Sequence, residues 1–230
     1  MLPWPIKPML LQPKENPFSS PDHIFEWKVD GVRCIMHFDR GKVQLQSKSG
    51  KDFTKQFPEH WDPQLNANEV ILDGEVTVFT EGKPDFESTM ERYLTKTKNV
   101  TRLMDAKPAV YIIWDIIWHD GNQVTDLSLL ERKALLEQSV DSSETIRIID
   151  WIDTEGLAMW DAIKYQGLEG MVAKKKTSRY SIGKRNPAWV KVKNFREVEV
   201  NIFGYSRRDG SVLVGIGNIV QGHAIGMNTV

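Results

Sequence analysis

The chain has a single cysteine in 230 residues, Cys34, which excludes an internal disulfide and any zinc site built on several thiolates. No apolar stretch approaches the roughly 20 residues needed to cross a bilayer, so no membrane association is expected. The opening MLPWPIKPMLLQPKENP is too rich in proline for a signal peptide, and a cytosolic protein is expected. That opening reads as an extended segment wrapping the domain surface. The five histidines do not cluster at ligand spacing, and no Ser-His-Asp pattern stands out. Neither a glycine-rich phosphate loop nor G-x-x-x-x-G-K-[ST] is present, so any phosphate would be held by side chains. Internal repeats and low-complexity tracts are absent as well.

What is there is enough for a real core: 40% of the residues are hydrophobic. The net charge of -1 and pI near 6.5 argue against a polycation that coats nucleic acid. The distribution says more. From Lys164 to Arg208 twelve Lys or Arg face three acids, Glu169, Glu197 and Glu199, which suits a polyanionic partner on one face. Cys34, inside VRCIMHF, reads as a small core residue.

Alternating or apolar-rich runs at 24–29, 32–38, 42–47, 69–79, 110–118, 145–149, 170–175, 189–194, 198–205 and 211–216 predict strands, with DRGK and RRDG as turns between them. Helices are expected at 128–139, with Ser128 and Glu131 as a capping box, and at 155–166, capped by Thr154 and ended by Gly167. A short one is expected near 86–95. Strands outnumber helices without regular alternation, which favours antiparallel sheets in an α+β domain. The composition shifts after WVKVKNFRE, and VEVNIFGYSRRDGSVLVGIG reads as a new β meander, giving domains at 1–195 and 196–230.

Several charged residues interrupt these strand patterns. In EWKVDGVR, residues 26–33, Asp30-Gly31 reads as the two-residue loop of a hairpin that sets Lys28 opposite Arg33. Like charges across a ladder destabilise it, so either an anion lies between them or the hairpin is simply solvated. In VILDGEVTVF, Asp73 and Glu75 share a face; a divalent cation would join them, unless Asp73-Gly74 is a turn with Glu75 exposed. Asp115, among the apolar residues of VYIIWDIIWHDG, needs a cation or strong donor, and Trp114 points to the opposite face. Glu169 and Lys174 lie in LEGMVAKKK, while Trp189, Lys191 and Lys193 share a face of AWVKVK.

In order, KVDGVR, SKSGKDFTKQFPE, LDGEV, WDIIWHDG, EGMVAKK and WVKVK resemble the motifs of the covalent nucleotidyltransferases, most closely the compact bacterial or phage type of ATP-dependent DNA ligase. The resemblance covers roughly residues 20 to 195 and implies an α+β nucleotidyltransferase (ATP-grasp-like) domain of antiparallel sheets flanked by helices, then the start of an OB-type β-barrel. It implies that Lys28 attacks the α-phosphorus of ATP, with Asp30, Arg33, Lys191 and Lys193 completing the catalytic set. Arg33 would hold the nucleotide near its ribose and phosphate, Glu26 would accept from the adenine amino group, Trp114 would stack on adenine, and Lys174, Lys191 and Lys193 would bind the nucleotide. Glu75 would contact the ribose or the metal, and Glu169 the metal, Mg²⁺ with Mn²⁺ able to substitute. Lys48 stands where the family usually has Arg, losing a bidentate fork.

Nucleophilic attack requires a deprotonated lysine, for which nearby cations and a metal would be the means. The implied partner is nicked duplex DNA, held by the basic tail from Lys174 to Arg208, and the implied state is a monomer in the cytosol of a bacterium or a phage-infected cell. The family's second domain, an OB-type barrel, carries a further basic motif that is not found here, so a truncated OB-type domain and weak self-adenylation are expected. An RNA ligase, an mRNA capping guanylyltransferase and a catalytically weak nick-binding protein are the alternatives.

Overall fold

The computed structural model describes residues 2–195, 199–208, 210–216 and 219–226. In chain order the strands β1 (Leu10–Pro13), β2 (His23–Trp27), β3 (Val32–Asp39), β4 (Lys42–Ser47), β5 (Glu69–Thr80) and β6 (Lys83–Asp85) precede helices α1 (Phe86–Leu94) and α2 (Val100–Ala106). Then come β7 (Ala109–His119), β8 (Asn122–Gln123), α3 (Leu129–Ser139), β9 (Ile146–Ile148), β10 (Trp151–Asp153) and α4 (Gly156–Gln166). Strands β11 (Gly170–Lys175) and β12 (Arg185–Lys193) follow, and β13 (Asn201–Tyr205), β14 (Ser211–Ile216) and β15 (Ile219–Gly226) come last. The chain divides into two compact units, Met1–Asn194 and Phe195–Val230.

The first unit holds two sheets. One runs β1-β12-β11-β2-β10; the other runs β4-β3-β5-β7-β8, with β6 beside β5 and β9 beside β7. Most pairings are antiparallel, but β1–β12 and β7–β9 are parallel, a departure from the purely antiparallel expectation made possible by the long connections between those strands. The second unit is an antiparallel β13-β14-β15 meander. Arg196, Glu197, the start of the run expected at 198, the 195/196 boundary and Asp209 of the RRDG turn fall wholly or partly outside the described residues.

The two-residue period explains the layers. On β3 and β5, Cys34, Met36, Val70, Leu72, Val76 and Val78 meet Phe53, Phe57 and Leu136 of α3 in one core. Ile35 and Ile71 face the opposite way and meet Ile24 and Trp189 of the other sheet, forming the core between the sheets. A third cluster joins Phe25, Met171 and Val192 to Met159 and Ile163 of α4. Both faces of each sheet's central strands are thus buried, which is why they read as nearly continuous apolar runs. Each fully buried Leu, Ile, Val or Phe contributes about 1.5–3 kcal/mol.

Three local expectations are corrected. Leu2, Ile6 and Met9 enter the core between the sheets, and β1 pairs with β12, so the N-terminal segment is part of the fold and not a surface wrapping. Helix α3 has its Ser128–Glu131 capping box, and α4 ends at Gly167 with φ 68°, but Thr154 does not cap α4. Thr154 itself adopts φ 67°, and Ser19 Oγ accepts from Leu157 N instead, so a distant segment supplies the cap. Finally, 28–31 is not a hairpin. β2 pairs with β10 and β11 while β3 pairs with β4 and β5, so these residues cross from one sheet to the other.

Candidate active site

The crossover is pinned at both ends. Lys28 N donates to Gly170 O at 2.7 Å in the first sheet. Thr77 Oγ1 donates to Asp30 O at 2.8 Å, and Gly31 N donates to Glu75 Oε1 at 3.1 Å, in the second. Gly31 is required by close approach, because a Cβ there would collide with Val76 O, and not by a turn conformation. Lys28 is thereby placed in a cleft of about 670 Å³ between the sheets.

Lys28 Nζ lies 2.5 Å from Glu169 Oε2, at the entrance to β11, and Lys193 Nζ lies 3.6 Å from Glu169 Oε1. Burial pushes the Glu75 carboxyl up to about 7; Lys28 and Arg33 oppose that rise and Glu169 adds to it. Asp30 is likewise raised by burial and by Glu169. Lys191 is lowered, first by burial and then by Lys193 and Lys28. Asp30, Glu75 and Glu169 therefore crowd one ammonium, and their mutual repulsion favours an added cation. Among the described residues no group of three or more His, Cys, Asp or Glu could itself hold a metal. The donors fit a hard cation gripped by one or two carboxylates and completed by phosphate and water.

Asp73 takes a different part from either expected one. It lies mid-strand in β5, fully buried, and accepts from Arg33 Nε and Nη2, each at 2.6 Å, and from the Tyr180 hydroxyl at 2.6 Å. Its cation is a guanidinium and not a metal, and Lys28 and Arg33 each face a carboxylate of their own. The Met9 carbonyl also accepts from Arg33 Nη2, at 3.3 Å, and Arg33 lies 4.6 Å from the centre of the Trp114 ring.

Trp114 reaches the cleft through a β-bulge. The β5–β7 register passes from Asp73–Asp115 to Gly74–Ile113, leaving Trp114 as the extra residue. Gly74 allows the close approach, since a Cβ would collide with Ile112 O. Asp115 meets its cation as expected: Arg132 Nε and Nη2 donate to it at 2.7 and 2.9 Å, both residues fully buried.

At this end of the cleft Glu26 is 1% exposed and engaged by two lysines. Lys133 Nζ is 2.5 Å from Oε1 and Lys174 Nζ is 2.6 Å from Oε2, so both oxygens expected to face a base already have partners. Burial, then the charge of Lys133, push Lys174 down to about 8 against the pull of Glu26. Lys174 Nζ lies 4.3 Å from the Trp189 ring centre and 5.4 Å from that of Trp114. Trp189 and Lys191 line the cleft, alternating along β12 with Val190 and Val192, which pack toward α4. Lys48 lines the cleft too, exposed at its rim. Lys133 and Tyr180 were not anticipated. Adjacent cations inside LLERKALLEQ, at helix positions that become buried, are the signal for Lys133; nothing local marks Tyr180.

A lysine, carboxylates and further lysines converge between the two sheets, the kinds of group that covalent nucleotidyl transfer requires. The family model for the ATP dependent DNA ligase domain matches residues 8–193, and the chain belongs to that family. The SPbeta prophage-derived DNA ligase-like protein LigB of Bacillus subtilis is 35% identical over 205 residues, covering 89% of this chain and 73% of its own. The multifunctional non-homologous end joining protein LigD of Mycolicibacterium smegmatis is 31% identical over 208 residues; the match covers 89% of this chain but only 26% of that protein. Among solved structures, mycobacterial DNA ligase D complexed with ATP and MES superposes with a TM-score of 0.69 at 26% identity, covering 97% of this chain and 73% of that one. The expected α+β nucleotidyltransferase fold is the fold found. No helix of the described residues is long and apolar enough to cross a membrane.

Proposed function

We propose that the chain is an ATP-dependent DNA ligase that joins nicked duplex DNA in repair, replication or recombination, acting as a cytoplasmic monomer. Residues 1–195 serve as its adenylation domain, and 196–230 form part of an OB-type domain. The observation that carries this reading is Lys28 Nζ, held in the cleft 2.5 Å from Glu169 Oε2 and bordered by Glu75, Asp30 and Lys191.

In the first step the Lys28 Nζ lone pair attacks the α-phosphorus of ATP, a P–N bond forms, and the bond to pyrophosphate breaks. Glu169 Oε2 is the carboxylate positioned to receive the proton that Lys28 gives up. Lys191 and Lys193 stabilise charge on the α-phosphate, Arg33 holds the ribose end, and Trp114 offers a stacking face. Glu169, with Glu75, would hold Mg²⁺, which when bound neutralises phosphate charge. AMP then passes to the 5′-phosphate of the nick, and the 3′-hydroxyl displaces it to seal the strand.

Intact mass before and after Mg²⁺ with ATP tests the reading, with GTP and Lys28→Ala as controls. The expected result is an AMP-sized gain with ATP, lost in the variant and reversed by pyrophosphate. Failure of the wild-type chain both to gain AMP and to seal a pre-adenylated nick would overturn it.

A further inference from the structure

Glu26 carries two ammonium groups where one would balance its charge. Lys133, Glu26 and Lys174 are each 2% exposed at the side chain, so the cluster is closed to bulk water. Glu26 and Lys174 line the cleft, whereas Lys133 reaches Glu26 from α3, behind it. A buried ion pair gains little stability over well-packed apolar residues of similar volume, so a second buried lysine is a poor device for holding the fold together. Its placement has another effect: it occupies Oε1 from outside the cleft and opposes the charge of Lys174.

Without Lys133 this end of the cleft would read a base ambiguously. A carboxylate accepts from an amino group, and an ammonium donates to a keto oxygen. Glu26 and Lys174 stand side by side near the Trp114 and Trp189 rings, so a purine edge there meets an acceptor and a donor together. Resting on the nucleotidyl-transfer reading above, we propose that Lys133 is a positioning residue for base selection: it holds Glu26 as a fixed, ionised acceptor and favours purines with a 6-amino group. Lys133 touches neither nucleotide nor reacting atoms; it acts through Glu26.

The test compares ATP, GTP and purine riboside triphosphate, which has hydrogen at position 6, as donors of their nucleoside monophosphates to Lys28, by intact mass over time. The wild-type chain is compared with Lys133→Met and Lys133→Arg. The methionine variant keeps the Glu26–Lys174 pair, and thermal melting establishes that it is folded. Its preference for ATP over the 6-hydrogen analogue should fall about tenfold, the size expected for losing a hydrogen bond to a well-held charged group, mostly through KM for ATP. Lys133→Arg should restore most of the preference. An unchanged preference in folded Lys133→Met, or a wild-type chain that takes both nucleotides equally well, overturns the proposal while leaving lysyl transfer intact. A wild-type chain that accepts no nucleotide overturns the proposal, and if it also fails to seal a pre-adenylated nick the underlying reading falls with it. If the methionine variant does not melt cooperatively, Lys133→Gln, which keeps a donor without the charge, is read by the same ratio.

Discussion

Tyr180 donates its hydroxyl proton to Asp73 Oδ2 at 2.6 Å, onto the same oxygen that Arg33 Nη2 reaches at 2.6 Å. Met9 closes the ring: its N–H donates to the Tyr180 hydroxyl at 3.0 Å, and its carbonyl accepts from Arg33. The ring ties β3 and β5 of one sheet to the N-terminal segment and the β11–β12 connection of the other, at the wall where Arg33 enters the cleft. Two sheets that share no strand are thereby held in register around a guanidinium.

Tyr180→Phe removes one oxygen and leaves the Met9 N–H without that acceptor. The expected cost is about 1–2 kcal/mol of stability. With Arg33 less firmly held, KM for ATP in the labelling of Lys28 should rise roughly threefold to tenfold while the rate at saturating ATP changes little. Denaturant melts and labelling kinetics on the same preparation check both, and a lowered saturating rate with unchanged KM would contradict this account of the ring.

Glu75 gives a pH dependence with a definite sign. Its folded value is pushed up to about 7, by burial first, against an ordinary value of 4.5. Between these values the folded chain holds a proton that the unfolded chain releases, so stability is full below about 4.5 and is lost as pH rises through about 7. The loss amounts to about 3 kcal/mol for this group. Glu75→Gln cannot ionise and should become more stable than the wild type as pH rises across that window, at the expense of activity. Urea melts from pH 5 to 8 measure the gap; a constant gap would exclude a raised Glu75.

Asp115 and Arg132 form a pair with no exposed surface, each holding the other's charge. Arg132→Met leaves a buried carboxylate alone and should cost about 3–5 kcal/mol, whereas the double change with Asp115→Leu should recover much of that loss. Chemical denaturation of the two single variants and the double variant forms the cycle, and additive losses would refute the coupling.

The order of strands was legible because burial on both faces leaves long apolar runs, as in β5 and β7, and the capping box of α3 was legible because Ser128 and Glu131 complete it within one turn. Asp115 announced a partner, though not which one. What misled were local signals overruled at long range. Asp30-Gly31 has the composition of a hairpin turn, yet the strands on either side of it belong to different sheets. Asp73 and Glu75 share a face, but Arg33, forty residues upstream of Asp73, had already taken the first. The second lysine on Glu26 comes from a helix 107 residues away, a separation at which periodicity carries no information.

Trp114 separates stacking from hydrogen bonding. It is 8% exposed, its Nε1 is buried without a hydrogen-bond partner among the described residues, and Arg33 and Lys174 approach its ring at 4.6 and 5.4 Å. Trp114→Phe removes an orphaned donor, worth about 1–3 kcal/mol, but gives up ring volume and weakens the cation contacts. These terms oppose each other, so stability should shift by no more than about 1 kcal/mol, and a phenyl face should still carry a base with a modest rise in KM for ATP. Trp114→Ala loses the face altogether and should cost about 3–5 kcal/mol and most of the nucleotide affinity. Melting and ATP titration of both variants decide the matter: if phenylalanine is as damaging as alanine, the indole acts through its N–H or full width, and a simple stacking role for the bulged residue is wrong.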